Sequence, residues 1–262
     1  MTFRPVRVLA ACAAIAVLAV AGFGVVHARA AAGGHVRLVA LPSLAPVAAS
    51  PSGGPKPAAV ARWQVLKAVG PIVAYRAPST SSPVKARFAR TTVSGFPSVF
   101  LVQGVRVVGG TTWYHVWLPI RPNESHGWIK EGGVAVYTTT ARIVIRLGAR
   151  RLTVYRSDRA VASFPVAVGM AQLPTPTGVY YINQKLRPTT PGGPYGVLAL
   201  GISAFQPRLP SWPLGGPVAI HGTNQDALIG QAVSHGCVRM HNADVLRVSA
   251  LVPAGSPVVI VK

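Results

Sequence analysis

Acidic side chains are nearly missing from this chain. Only Glu124, Glu131, Asp158, Asp226 and Asp244 stand against 26 lysines and arginines, a formal net charge of +21. Such an excess predicts attraction to polyanions: nucleic acid, acidic lipid headgroups or an anionic cell wall. The bases are scattered along the sequence rather than clustered, so charge alone does not choose among these partners. Cysteine is scarcer still, with Cys12 and Cys237 and no others. There is no Cys-x-x-Cys, no His-Glu-x-x-His and no internal repeat of useful length. Charged residues are only 12% of the chain while hydrophobic ones are 50%, which excludes disorder of the whole and allows a sizeable core. At 262 residues there is room for one large domain or two modest ones.

The N-terminus supplies a compartment. Arg4 and Arg7 form a positive start, Val8 to Val26 carries no charge, and Ala28-Arg29-Ala30 has the small residues of a signal-peptidase site. The uncharged run matches the ~20 residues that cross a bilayer, so residues 1–32 read as a cleaved signal peptide or a retained membrane anchor. Leu9-Ala10-Ala11-Cys12 resembles a lipobox, but Cys12 opens the apolar run instead of closing it and reads as a small apolar residue of an export helix. Export places the bulk of the chain outside the cytoplasm, in the cell envelope, and makes nucleic acid a remote partner. Residues 33–58, dense in Pro, Ala, Ser and Gly from Pro42 onward, read as an extended linker.

Two β-rich regions follow, at 59–138 and 139–262. In the first, Ser98–Val108 and Thr111–Ile120 flank Gly109-Gly110 as a hairpin, and Gly127-Trp128-Ile129-Lys130 starts another strand. In the second, Ile143, Ile145 and Leu147 alternate with Arg142, Val144 and Arg146. Val161–Val168, Gly178–Leu186, Val197–Ile202 and Val218–Ile220 continue the series between Pro/Gly clusters. One stretch is helical: Asn242 as N-cap, Asp244 in the first turn, and apolar residues at helical spacing to Val252, before Pro253 and Gly255. Many short strands with one short helix predict a mainly β sandwich or barrel.

Once the export segment is set aside, Cys237 is the sole remaining thiol. It lies in Ser234-His235-Gly236-Cys237-Val238-Arg239, and His221-Gly222-Thr223-Asn224 precedes it. A lone thiol kept outside the reducing cytoplasm beside histidines reads as kept for reactivity. An ordinary thiol is only slightly ionised at neutral pH, so a neighbouring imidazole must take its proton, here as a thiolate–imidazolium pair. His221 ends an apolar strand, and the carbonyl of Gly222 is placed to hold its other ring nitrogen. Gly236 permits a tight turn, and the amides of Gly236 and Cys237 are candidates for an oxyanion hole. Zinc on His221, His235, Cys237 and His241 is the competing chemistry. His-x-Cys chelation from neighbouring extended positions is uncommon, so neither metal nor other cofactor is expected.

His-Gly-Thr-Asn followed by Ser-His-Gly-Cys-Val-Arg-Met resembles the signature of the L,D-transpeptidases with a YkuD-type catalytic domain. Arg151–Tyr155, Thr175-Pro176-Thr177-Gly178 and Pro191–Gly196 are similar to that family as well. The resemblance implies an L,D-transpeptidase-type β-sandwich from about Arg142 to Ile260. It implies Cys237 as nucleophile, His221 as base, Gly222 as the group that orients the base, and Ser234 and His235 as pocket residues. Arg239 stands where some members carry asparagine and suits a carboxylate-bearing substrate. His235 acts either in the chemistry or through a structural hydrogen bond; Tyr195 lines the donor pocket or lies in the core. The implied partners are peptidoglycan stem peptides, with carbapenems as acylating inhibitors. The implied reaction is a 3→3 cross-link through a cysteine thioester; hydrolysis by an L,D-carboxypeptidase, anchoring of an envelope protein and a non-catalytic wall-binding protein are the alternatives. Trp113, Trp117 and Trp128 give the first β region a weaker resemblance to a bacterial SH3-like barrel, and a plain spacer fits the same residues.

Overall fold

The computed structural model of the protein describes residues 61–190 and 192–262. The expected signal or anchor at 1–32, with Cys12 and Ala30, and the expected linker at 33–58 lie outside the described residues. Seven strands come first: β1 (Trp63–Ala68), β2 (Ile72–Tyr75), β3 (Val84–Phe88), β4 (Val99–Val108), β5 (Thr111–Trp117), β6 (His126–Lys130) and β7 (Val134–Thr139). They pair in the order β3-β2-β6-β5-β4-β1-β7. The β4–β5 hairpin turns at Gly109 and Gly110, with φ of 55° and 76°, the left-handed pair that a tight two-residue hairpin requires. β5 stops short of the expected Ile120 because Pro119 has no N–H for the ladder.

Side chains alternate across this sheet, so it has two different faces. Leu66, Phe100, Val116 and Ile129 form the core of one face. On the other, Trp63, Val65, Val99 and Leu101 pack with Tyr181 of the following region. Trp113 is buried, while Trp117 and Trp128 are half-buried.

The second region holds β8 (Ala141–Arg146), β9 (Arg151–Arg156), β10 (Arg159–Pro165), β11 (Val168–Gly169), β12 (Gly178–Leu186), β13 (Ala199–Phe205), β14 (Pro217–His221), β15 (Ala232–Ser234), β16 (Val238–Arg239), α1 (Asn242–Leu251) and β17 (Pro257–Val261). Eight of these strands form one mixed sheet in the order β10-β9-β8-β17-β12-β13-β14-β16; β11 and β15 pair separately. The sheet curls round one core, since Ile143, Val154, Ile182, Ile220, Val238 and Val258 share a cluster with Val245 and Val248 of α1. The chain is mainly β, with one α-helix among the described residues, as its periodicity predicts.

Three local expectations need correction. The run Val161–Val168 is divided between β10 and β11. Val197–Ile202 shifts to Ala199–Phe205. The helix cap is His241, not Asn242, and no side chain caps it; Asn242 is drawn instead into hydrogen bonds with the loops beside His221.

Candidate active site

Strand pairing brings the two halves of the motif together. β14 and β16 run parallel with Ile220 opposite Val238 and His221 opposite Arg239. Ile220, Val238 and Met240 are fully buried in the core. By alternation His221 and Arg239 point to the sheet's other face, and Cys237, two residues before Arg239, leads into that face. The amide of Met240 donates to the carbonyl of His221 at 2.8 Å, which fixes the two segments side by side. Cys237 is half-buried and its sulfur is in no disulfide.

His221 is 2% exposed, with Nδ1 2.6 Å from the carbonyl oxygen of Gly222. A carbonyl only accepts, so the proton sits on Nδ1 and Nε2 carries the lone pair, the form a general base needs. Gly222 is close-packed there: a Cβ on it would lie 2.2 Å from Oδ1 of Asn242. Burial pulls the imidazole from 6.5 to about 4, the Gly222 carbonyl opposes this, and the Arg239 charge adds to the fall. His221 is therefore neutral at pH 7. The same burial disfavours the imidazolium half of the thiolate–imidazolium pair expected from sequence.

The Cys237 turn is stitched by Ser234. Its hydroxyl donates to the Cys237 carbonyl at 2.5 Å and accepts the Gly236 N–H at 3.1 Å. The Gly236 N–H named as an oxyanion donor is thus already engaged within the turn, which revises that expectation for Gly236. Gly236 has φ of 119°, and a Cβ on it would meet Nε2 of Gln206 at 2.5 Å. No other residue type fits there without displacing its neighbours.

The remaining expected residues have these surroundings. The ring of Tyr195 lies 4.9 Å from that of His221, tilted by 56°, and is half-buried, so it covers the base instead of filling the core. His235 is exposed; its ring faces Trp212 at 6.1 Å and its carbonyl accepts from Gln206. Arg239 donates to Gln225 at 3.1 Å. His241 lies 3.2 Å from Asp226. Among the described residues no three His, Cys, Asp or Glu side chains gather as a metal site would require.

Residues 140–260 match the family model for the L,D-transpeptidase catalytic domain, YkuD. The YkuD protein of Bacillus subtilis (strain 168), named as an L,D-transpeptidase, is 40% identical over 124 residues, which span 47% of this chain and 68% of that protein. The chain belongs to the L,D-transpeptidase family. The ErfK/SrfK protein of Escherichia coli (strain K12), also named as an L,D-transpeptidase, is 34% identical over 139 residues, 47% of this chain and 45% of its own. Among solved structures, L,D-transpeptidase 3 from Mycobacterium tuberculosis in complex with a faropenem-derived adduct aligns at 16% identity and a TM-score of 0.39, over 58% of this chain and 91% of that one.

Within this L,D-transpeptidase domain, sequence reasoning passed over two residues. Asn242 accepts from Val197 N–H at 3.1 Å and donates to the Thr223 carbonyl at 3.0 Å, tying the loop of Tyr195 to the loop after His221. Gln206, 2% exposed, donates to the carbonyls of Pro174 and His235 at 2.9 and 3.0 Å. The sequence around Asn242 has the pattern of a helix cap, which hides its part between the loops; Gln206 sits alone before a Pro-rich loop and gives no pattern to read.

Proposed function

We propose that the protein is a cysteine-dependent peptidoglycan L,D-transpeptidase that forms 3→3 cross-links, with Cys237 as nucleophile and His221 as general base. The observation that carries this reading is the buried, neutral His221 with Nδ1 held by Gly222, on the face into which the Cys237 turn leads. The Cys237 sulfur attacks the carbonyl of the third, L-configured residue of a tetrapeptide stem while its proton passes to Nε2 of His221. The imidazolium so formed returns that proton to the nitrogen of the terminal D-alanine, the C–N bond breaks, and D-alanine departs. A thioester remains. The side-chain amine of a neighbouring stem then attacks the thioester carbonyl, gives a proton to His221 and expels the Cys237 thiol, completing the cross-link.

Moving the proton during attack, instead of storing an ion pair, suits a site whose burial disfavours the imidazolium. Arg239 offers its guanidinium to a stem carboxylate, and Tyr195 walls the donor side of the cleft beside His221. The same proposal places the protein outside the cytoplasm in the cell envelope, exported or anchored by its N-terminal segment. Its charge of +21 holds it near anionic wall polymers, and the first sheet serves as an SH3-like wall-facing module or spacer.

Incubation of the purified protein with disaccharide-tetrapeptide, read by mass, tests the reaction. A dimer lighter by one D-alanine supports transfer. A tripeptide would replace the reading with hydrolysis, and unchanged substrate would leave a binder.

A further inference from the structure

The turn between β5 and β6 belongs to the first sheet, yet it is bound to the loop that supports Cys237. Two of its residues, Arg121 and Asn123, make these ties, and a third, Glu124, reaches β12. The Arg121 guanidinium donates to the carbonyls of Gln206, at 2.7 Å, and Gly215, and stacks over Phe205 at 5.4 Å. Asn123 pairs reciprocally with the backbone of Phe205, its amide donating to the carbonyl and accepting the N–H, both at 2.8 Å. Glu124 accepts the N–H of Val179 at 3.1 Å. Both ends of the 206–216 loop are thus gripped from the other sheet, and Gln206 N–H closes that loop on the Gly216 carbonyl at 2.8 Å.

Gln206 passes this grip to the catalytic turn. Its side-chain NH2 has two hydrogens, and the structure uses both: one on Pro174, the other on His235. Its Oε1 accepts the Arg208 N–H at 3.2 Å, which fixes the orientation of the amide. The His235 carbonyl belongs to the peptide unit whose N–H is that of Gly236, immediately before Cys237. Holding this carbonyl sets the plane of that peptide and hence the direction in which the next residue leaves. Ser234 fixes the same turn from the inside; Gln206 fixes it from outside.

We propose that Gln206 is a positioning residue for Cys237, and that Arg121 and Asn123 hold Gln206 in place, so that the first sheet is part of what makes the thiol competent. The proposal rests on the transpeptidase reading for its consequence in turnover, and on geometry alone for its consequence at the thiol. A shift of about 1 Å at a nucleophile costs up to 10²-fold in rate, so an unbraced turn affects the chemical step more than it affects binding.

The test uses the full-length protein and the variants Gln206→Ala, Arg121→Ala, Arg121→Lys and Gln206→Ala combined with Arg121→Ala. Each is first shown to be folded by circular dichroism. Acylation by a carbapenem is followed by mass over a concentration series, and alkylation by iodoacetamide over a pH series. The expected result for Gln206→Ala is a fall of roughly 10-fold to 10²-fold in maximal acylation rate, with the half-saturating concentration moving by less than about threefold. Arg121→Ala falls in the same direction, Arg121→Lys recovers part of the loss by keeping a donor, and the double variant is no slower than Gln206→Ala. Wild-type maximal rates in Gln206→Ala overturn the positioning role. Additive losses in the double variant overturn the relay through Arg121. A wild-type protein that is alkylated at Cys237 but neither acylated nor active on tetrapeptide sinks the transpeptidase reading instead. Iodoacetamide then still judges the brace: an unchanged alkylation rate and pH midpoint in Gln206→Ala removes it.

Discussion

At the scale of single residues, the proposed chemistry depends on the state of one imidazole. The Gly222 carbonyl decides the tautomer of His221 and burial decides its charge. Replacing Cys237 with Ala is expected to abolish acylation and cross-linking while leaving the fold intact, since a half-buried small side chain is exchanged for a smaller one; product analysis and circular dichroism check this together. His221→Gln is expected to slow acylation by on the order of 10²-fold or more, the usual cost of losing a general base. A wild-type rate in that variant moves the base elsewhere. Burial pulls His221 to about 4, so if it is the base proposed above, the acid limb of kcat/KM is expected near that value. An acid limb at the ordinary histidine value of 6.5 would mean that the ring is solvated in the working enzyme. The nearness of the two motif segments was legible, since an apolar strand ending in His221 and the run after Cys237 pair as β14 and β16. The lowered pKa of His221 was not, because it is set first by burial among residues distant in sequence, and long-range burial leaves no mark in a local motif.

At the scale of elements, the site is a set of loops at the ends of β13, β14 and β15, tied by side chains with no nucleophilic power. Asn242 illustrates this. As the first residue of α1 it bonds Val197 and Thr223, and both Gly196 and Gly222 approach it so closely that a Cβ on either would lie within about 2.2 Å of its Oδ1. Asn242→Ala is expected to destabilise the domain by ~1–3 kcal/mol, since two backbone groups lose their partner. It should also raise KM by loosening the loop of Tyr195. Urea unfolding and steady-state kinetics measure the two effects, and an unchanged midpoint would show that water replaces the side chain without cost. Gly236→Ala is expected to cost ~1–3 kcal/mol for its left-handed backbone alone, with the Gln206 contact added. Strands β12 and β14 were readable from β-branched alternation, and the β4–β5 hairpin from its glycine pair. The ends of β10 and β13 were not. Neighbouring strands decide where pairing stops, as when Phe205 joins β13 by pairing with Pro217 of β14, while Asn123, more than eighty residues earlier, also binds its backbone.

At the scale of the molecule, the two sheets share a packed junction. Tyr181 is buried among Trp63, Val65, Val99 and Leu101, Tyr137 donates to the Ala254 carbonyl at 2.7 Å, and Asp158 joins the Ala61 N–H to Arg142. Each sheet also carries a histidine that acid should make costly to bury. His221 in the second sheet is pulled to about 4 by burial, and His115 in the first to about 4 by burial and by the nearby His126, Lys85 and Arg106. For a histidine whose folded value is depressed, the unfolded chain binds more protons between the folded and unfolded values. Stability from these groups is therefore complete above about pH 6.5, drains as pH falls towards about 4, and changes no further below it. The fully buried His221, pulled from 6.5 to about 4, contributes on the order of 3 kcal/mol over that interval. His115 adds in the same direction. Denaturant unfolding of wild type at pH about 7.5 and about 4.5 is expected to show most of this loss, and His221→Gln, which has no proton to gain, should show a smaller one. An equal loss in the variant would place the acid sensitivity in other groups and remove the buried neutral imidazole from the account.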